Sequence, residues 1–155
     1  MAVNETVRTE IDRAVLCWLA TVGADGSPNV SPKEIFAPFG NNAIVIADIA
    51  SPTSVKNVLG HSKVCVSFVD IFRQRGFKLL GEAEIIAKDD DRFADFGADL
   101  LKKAGSSFEI RHVIHVQVER VHRIWAPSYS IFPARSEEDR MEEAYRTYGV
   151  RPLSD

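Results

Sequence analysis

Residues 16–38 read LCWLATVGADGSPNVSPKEIFAP, and this stretch sets the architecture. Residues 16–22 are a short apolar run that ends in Gly23-Ala24-Asp25-Gly26, a turn sequence. Residues 28–38 follow as a second extended segment, so the pair predicts a β-hairpin. Pro32 stands in the middle of the second segment and has no N–H to give to a ladder. That segment is therefore expected at a sheet edge, or bulged at Pro32.

Outward from the hairpin the β signal repeats. After a Gly40-Asn41-Asn42 turn, AIVIAD (43–48) is a continuous apolar strand, and KVCVSFVD (63–70) is another. GFKLLGEAEIIA (76–87) is a long strand interrupted by Gly81, a bend or bulge. EIRHVIHVQVERVHRIW (109–125) is rich in β-branched residues and reads as the last strand. Between these lie helices. Residues 4–15 place Val7, Ile11, Ala14 and Val15 on one face, with Asn4 as the cap. A short helix over roughly 52–60 opens at Pro52 and closes at Gly60. Residues 89–104 align Phe93, Phe96, Leu100 and Leu101, start at Asp89-Asp90-Asp91 where acids suit the helix dipole, and stop at Gly105. A tail helix over about 136–147 follows Pro133, with Met141, Ala144, Tyr145 and Tyr148 as its apolar face. The expectation is a mainly β fold with flanking helices, a barrel of about six strands. It would form one domain over 1–133, with a C-terminal helical tail, 134–155, packed on it.

Composition limits the function. The chain has 155 residues, 45% apolar and 26% charged, enough for one real core. Its net charge of −3 and lack of a basic stripe argue against nucleic acid and anionic membranes as partners. Residues 1–13 carry five charged side chains and no apolar run, which fails as a secretory signal, and no stretch approaches a membrane span. Cys17 and Cys65 lie apart in apolar surroundings and read as free buried thiols. The expected location is the cytoplasm.

Hydrolytic and metal chemistry find no footing. The histidines are His61, His112, His115 and His122, and no pair has the i, i+2 spacing of a strand metal site, so they read as surface or packing residues and no metal is expected. GxSxG, HExxH, Walker A and GxGxxG motifs are all absent from the sequence. No side chain stands out as an acid, base or nucleophile.

Three segments offer ligand chemistry instead. ADIASPTSVKN (47–57) joins a buried strand to a short helix. Ser51, Thr53 and Ser54 bring hydroxyls, the first helical turn brings free N–H groups, and Lys56 brings a positive charge, together a cradle for a phosphate. The competing reading is ordinary N-capping by Ser51. Asp48 opposes an anion unless it faces away. In Asn29-Val30-Ser31-Pro32-Lys33-Glu34 the irregular strand exposes backbone groups to a flat polar ring. Gln74-Arg75-Gly76-Phe77-Lys78 starts a strand with a cation, and Lys78 there is either a ligand contact or a solvated lysine.

The ordered series of a helix, LATVGADGSPNVSP, AIVIADIASPTSVKNV, KVCVSFVD and GFKLLGEAEII resembles the FMN-binding split barrels of the pyridoxamine 5'-phosphate oxidase group over roughly residues 5–125. The resemblance implies a homodimer with the flavin at the subunit interface. The ring would lie against Asn29, Val30, Ser31, Pro32 and Lys33, with the phosphate on Ser51, Thr53, Ser54 and Lys56. The strand at Phe77-Lys78 would border the ring. Val121-His122-Arg123-Ile124-Trp125 would bring Trp125 to the partner's flavin, or Trp125 would anchor the interface alone. Two departures separate the chain from the oxidase itself. The basic residues that follow the tryptophan are replaced by Ala126-Pro127-Ser128-Tyr129-Ser130-Ile131-Phe132, and Asn29 stands where the oxidase has arginine. The implied chemistry is hydride or electron transfer at FMN with a small-molecule donor or acceptor, the reduced ring being stabilised by amides near Ser31–Lys33 and by Lys33 or Lys78. The alternatives are a non-catalytic FMN carrier or sensor, a binder of deazaflavin, haem or pyridoxal phosphate on the same scaffold, and a structural dimer without ligand.

Overall fold

A computed structural model describes residues 2–153. Met1, at the start of the expected barrel domain, and Ser154 and Asp155, at the end of the expected tail, lie outside the described residues. Seven strands form one antiparallel sheet: β1 (Cys17–Val22), β2 (Pro28–Lys33), β3 (Phe36–Phe39), β4 (Ala43–Asp48), β5 (Lys63–Asp70), β6 (Arg75–Ala87) and β7 (His112–Trp125), in the order β2-β1-β5-β6-β7-β4-β3. The helices are α1 (Glu5–Arg13), α2 (Pro52–Gly60), α3 (Phe93–Phe96), α4 (Ala98–Ala104), α5 (Ser128–Ile131) and α6 (Glu137–Tyr148). The sheet curls into a half-barrel, the split-barrel architecture expected from the sequence, with seven strands in place of about six.

The additional strand comes from residues 28–38, which form two strands and not one. β2 and β3 lie at opposite edges of the sheet. Glu34-Ile35 carries the chain across the split between them, and the Ile35 carbonyl accepts from Ala47 N at 2.9 Å. β2 is an edge strand, as Pro32 requires: Pro32 is matched only to Trp18 of β1.

The core has two parts. The concave face of the sheet buries Cys17, Leu19, Val66, Phe68, Phe77 and Leu79 against Val7 and Ile11 of α1, whose Asn4 cap accepts from Val7 N at 3.1 Å. Among the described residues the opposite face is covered at the β3-β4-β7 end, where Leu100 and Ala104 of α4 pack on Val45, Ala47 and Val113. The single helix expected over 89–104 is two short ones broken at Gly97. Asp89-Asp90-Asp91 lies in the turn before them, where Asp90 accepts from Arg92, and Leu101 points outward. At Gly81 the β6–β7 register shifts: Leu80 matches Arg120 and Gly81 matches Val118, so Glu119 is the bulged residue. A Cβ at Gly81 would run into the Gln117 carbonyl, which is why glycine stands there.

After β7 the chain turns back over the barrel end. The Tyr129 hydroxyl donates to the Arg73 carbonyl at 2.7 Å. Arg140 is buried at 3% exposure; its guanidinium donates to the carbonyls of Ser128, Phe132 and Arg135 and lies over the Tyr129 ring. Glu137 bridges Arg73 and Arg75. Ala144 and Tyr145 face inward, with Tyr145 stacked on Phe72, whereas Tyr148 is half exposed.

Candidate functional site

The turn between β4 and α2 is where the candidate residues converge. Asp48 ends β4 at 3% exposure. Its Oδ1 accepts from Ser51 N at 2.9 Å, and its Oδ2 lies 2.7 Å from His112 Nδ1. Both oxygens are engaged inside the fold, so the carboxylate faces away from an incoming anion. Ser51 stands at the N-cap position of α2 with Pro52 after it, but its side chain makes no capping bond. Its hydroxyl accepts from Lys33 Nζ instead, which answers the N-capping alternative. Pro52 has no N–H and Val55 N reaches the Ser51 carbonyl at 3.2 Å. The amides of Thr53 and Ser54 are left without helical partners. Thr53 and Lys56 are exposed beside them.

β2 supplies the facing wall. Its alternate residues divide: Asn29, Ser31 and Lys33 turn toward α2, whereas Val30 and Pro32 face outward. Ser31 Oγ and the buried Ser54 Oγ lie 3.0 Å apart. Asn29 and Asn57 both donate to Thr21 Oγ1, at 3.2 and 3.0 Å, fastening β2 and α2 to β1. These bonds fix the distance between the two walls.

Lys33 is the unusual group. It is 6% exposed, and the hydrogen-bond partner of its Nζ is the neutral Ser51 hydroxyl. Burial pushes its pKa below the ordinary lysine range, with the charges of Asp48 and Cys17 opposing. Cys17, opposite it on β1, has its thiol pushed up to about 12 by burial, against the pull of Lys33. A cleft of about 280 Å³ opens at the split of the barrel beside Lys33, walled by Pro32, Ile35, Ile49, Ser51 and Phe108. Along α2 lie two others, the first sharing Ser51 with it and the second sharing Pro52 and Lys56 with the first. One, about 300 Å³, is bounded by Ser51, Lys56 and His112; the other, about 450 Å³, by Thr53, Lys56 and Asn57.

The donor set fits a phosphate. It consists of two free helical amides, the Thr53 hydroxyl and the Lys56 ammonium; of the two acids nearby, Asp48 is engaged by Ser51 and His112, and Asp25, which lines the same cleft as Thr53 and Lys56, accepts from the Ser27 amide and hydroxyl. Lys78 lies elsewhere. It is exposed on the outer face in the cross-strand row Pro32, Trp18, Ser67, Lys78, His122, opposite in facing to Lys33. Trp125 is separated from β2 by β1, β5 and β6, is 47% exposed, and packs on Tyr129 and under Arg123. Within one chain, neither joins the cluster at α2. Sequence reasoning missed Thr21, Asn57 and the pairing of Asp48 with His112. The last depends on the β4–β7 register, which brings together residues 64 apart. Among the described residues there is no group of three potential metal ligands, and no helix is long and apolar enough to cross a membrane.

Comparison with known proteins gives the family and the fold. The family model for pyridoxamine 5'-phosphate oxidase matches residues 3–125. No curated protein sequence matches the chain. Among solved structures, HupZ of Group A Streptococcus is similar at 22% identity and a TM-score of 0.68, over 79% of this chain and 94% of that one. An FMN-binding protein from Syntrophomonas wolfei gives 14% identity and a TM-score of 0.66, over 79% and 86%. HutZ, the haem storage protein of Vibrio cholerae, gives 16% identity and a TM-score of 0.62, over 79% and 94%. Likeness at these identities shows the shared fold.

Proposed function

The chain belongs to the pyridoxamine 5'-phosphate oxidase family, and on that premise we propose that it is a cytoplasmic, homodimeric FMN-binding oxidoreductase. The observation that carries this reading is the donor-only turn at the start of α2, set beside an apolar cleft with a buried lysine. Thr53, Ser54 and Lys56 would hold the flavin phosphate, with Ser51 and Ser31 adjoining. The ring would lie along Asn29–Lys33, and the bound flavin would supply hydride or electron transfer with a small-molecule donor or acceptor. Lys33 would present a cation, or a donor hydrogen bond, to the ring from a site that excludes water. The Asp48 carboxylate would hold the turn in shape through Ser51 N. The outer face of β2-β1-β5 carries exposed Trp18 and Val30, at 45% and 56%, beside Pro32, an apolar surface suited to a second copy of the chain. Across that interface, Lys78 and Trp125 of the partner would complete the pocket.

The test is an absorbance spectrum of the purified protein before and after FMN addition, with gel filtration and light scattering. Flavin bands that elute with a dimer are the expected result, and reduction by a nicotinamide nucleotide with turnover of an acceptor would separate an enzyme from a carrier. A colourless protein that releases all FMN, or one that carries a Soret band in its place, would overturn the reading.

A further inference from the structure

A half-exposed tryptophan at a strand end is ordinarily free to turn, yet contacts from the barrel and the tail hold Trp125 in place. The β6–β7 register sets Phe77 opposite Arg123 and Arg75 opposite Trp125. The Arg123 guanidinium lies over the Phe77 ring at 4.3 Å and over the Trp125 ring at 4.5 Å. Tyr129 of α5 packs on Trp125 with ring centroids 4.8 Å apart, and Arg140 of α6 lies over Tyr129 at 4.3 Å. Rings and guanidinium groups therefore run as one stack from the buried Phe77 to the buried Arg140. Beside the stack runs a chain of ion pairs. Glu10 Oε1 accepts from Arg75 Nε at 3.0 Å, Arg75 Nη1 reaches Glu137 Oε2 at 2.6 Å, and Glu137 Oε1 accepts from Arg73 Nε at 2.9 Å. The Tyr129 hydroxyl, on the Arg73 carbonyl, joins the chain to the stack. Glu10 is 3% exposed, and among the described residues its Oε2 has no partner, while Arg123 Nη1 stands 3.9 Å from Oε1. An unpaired buried carboxylate oxygen is costly, so the Arg123 guanidinium has a second place to go when it leaves the rings.

We infer that Tyr129 and Arg140 of the tail are positioning residues for Trp125. They fix its indole at the end of β7, and the ion pairs of Glu137 make that hold depend on the tail staying docked. When the tail lifts, Tyr129 leaves with it, Arg123 turns to Glu10 Oε2, and the indole is released. An exposed ring held in this way is a flat surface set before binding, which removes the ordering cost that a free side chain would add. The consequence for the flavin rests on the function proposed above, in which Trp125 completes the partner's pocket; the positioning of Trp125 by the tail does not. On that reading the tail touches no cofactor and acts on flavin affinity through Trp125.

The experiment is fluorine NMR of the full chain labelled with 5-fluorotryptophan, without FMN, beside an FMN titration read by flavin fluorescence. The chain has two tryptophans, Trp18 and Trp125, and Trp125→Phe assigns their signals. Tyr129→Leu and Glu137→Gln should each move the Trp125 signal and leave that of Trp18, which reports that the barrel is folded. Tyr129→Phe keeps the ring and should restore the parent signal. Tyr129→Leu should bind FMN about tenfold more weakly, the upper end of what one aromatic contact supplies, and Tyr129→Phe as the parent does. Glu137→Gln, at a side chain 39% exposed, carries the test should Tyr129→Leu not fold. A Trp125 signal that stays in place in the folded variants overturns the inference. So does a signal that moves while FMN binds as tightly as before, since the contacts then serve the fold alone; the flavin reading survives that result. If no form of the protein takes up FMN, the flavin reading fails, and the fluorine signals alone decide whether the tail positions Trp125.

Discussion

A lysine at 6% exposure whose ammonium rests on a serine hydroxyl is costly to keep charged, and the cost is written into its lowered pKa. Such a group is useful only if something in the site needs its charge or its proton. Lys33→Ala is therefore expected to shift the potential of bound FMN to more negative values in a spectroelectrochemical titration; an unchanged potential would remove Lys33 from the redox site. Lys78 faces the other side of the sheet, so of the two lysines expected to stabilise the reduced ring only Lys33 adjoins the α2 turn in the same chain. Cys17 gives a pH test with a definite sign. Its thiol titrates near 9 when unfolded and near 12 when buried, so between these values the unfolded chain binds fewer protons. The contribution is fully present below pH 9 and is lost as pH rises to 12. Urea denaturation should show stability falling across that window by about 1 kcal/mol per pH unit more in the native protein than in Cys17→Ala. Parallel pH profiles would contradict the assignment.

At the scale of elements, two devices shape the barrel. Gly81 lets β6 pass the Gln117 carbonyl where the register shifts. Gly81→Ala should lower unfolding free energy by about 2 kcal/mol or more, because the obstacle is backbone and not a side chain that can swing away. A variant as stable as the parent in urea would show that the bulge relaxes freely. The other device is Arg140, which satisfies three carbonyls at the end of α5 from within α6. Arg140→Met would leave the Arg135 carbonyl without a partner and the Ser128 and Phe132 carbonyls with only their backbone donors. Hydrogen exchange should accelerate over residues 128–148 while β5–β7 stay protected. Uniform acceleration across the sheet would mean that the tail and barrel unfold as one unit. The elements legible in the sequence were those with a strong period or a firm stop: Asn4 caps α1, Pro52 and Gly60 bound α2, and Gly81 marks the bulge. The helix expected over 89–104 was not, since Phe93, Phe96 and Leu100 do keep helical spacing but pack on a curved sheet that a straight helix would leave.

For the whole molecule, the sheet presents one face closed by helices and one left partly open. The open face carries Trp18 at 45% exposure beside Val30 and Pro32. If the proposed dimer forms through this face, Trp18→Glu should convert it to a monomer in light scattering and release FMN with it, because the proposed pocket needs both chains. Loss of neither would place the dimer contact elsewhere. The sequence by itself determined the strands other than the division of residues 28–38, the turns at 23–26 and 40–42, the edge position of Pro32, and the hydroxyl and lysine content of residues 51–56, because these follow from local backbone chemistry and short-range periodicity. Only the tertiary structure decided that residues 28–38 part to opposite edges, that Lys33 faces Ser51 while Lys78 faces away, and that Asp48 is held by His112. Those facts depend on which strands become neighbours and in what register. Register is set by the packing of a whole face at once, and a shift of one residue would have exchanged every inward side chain for an outward one.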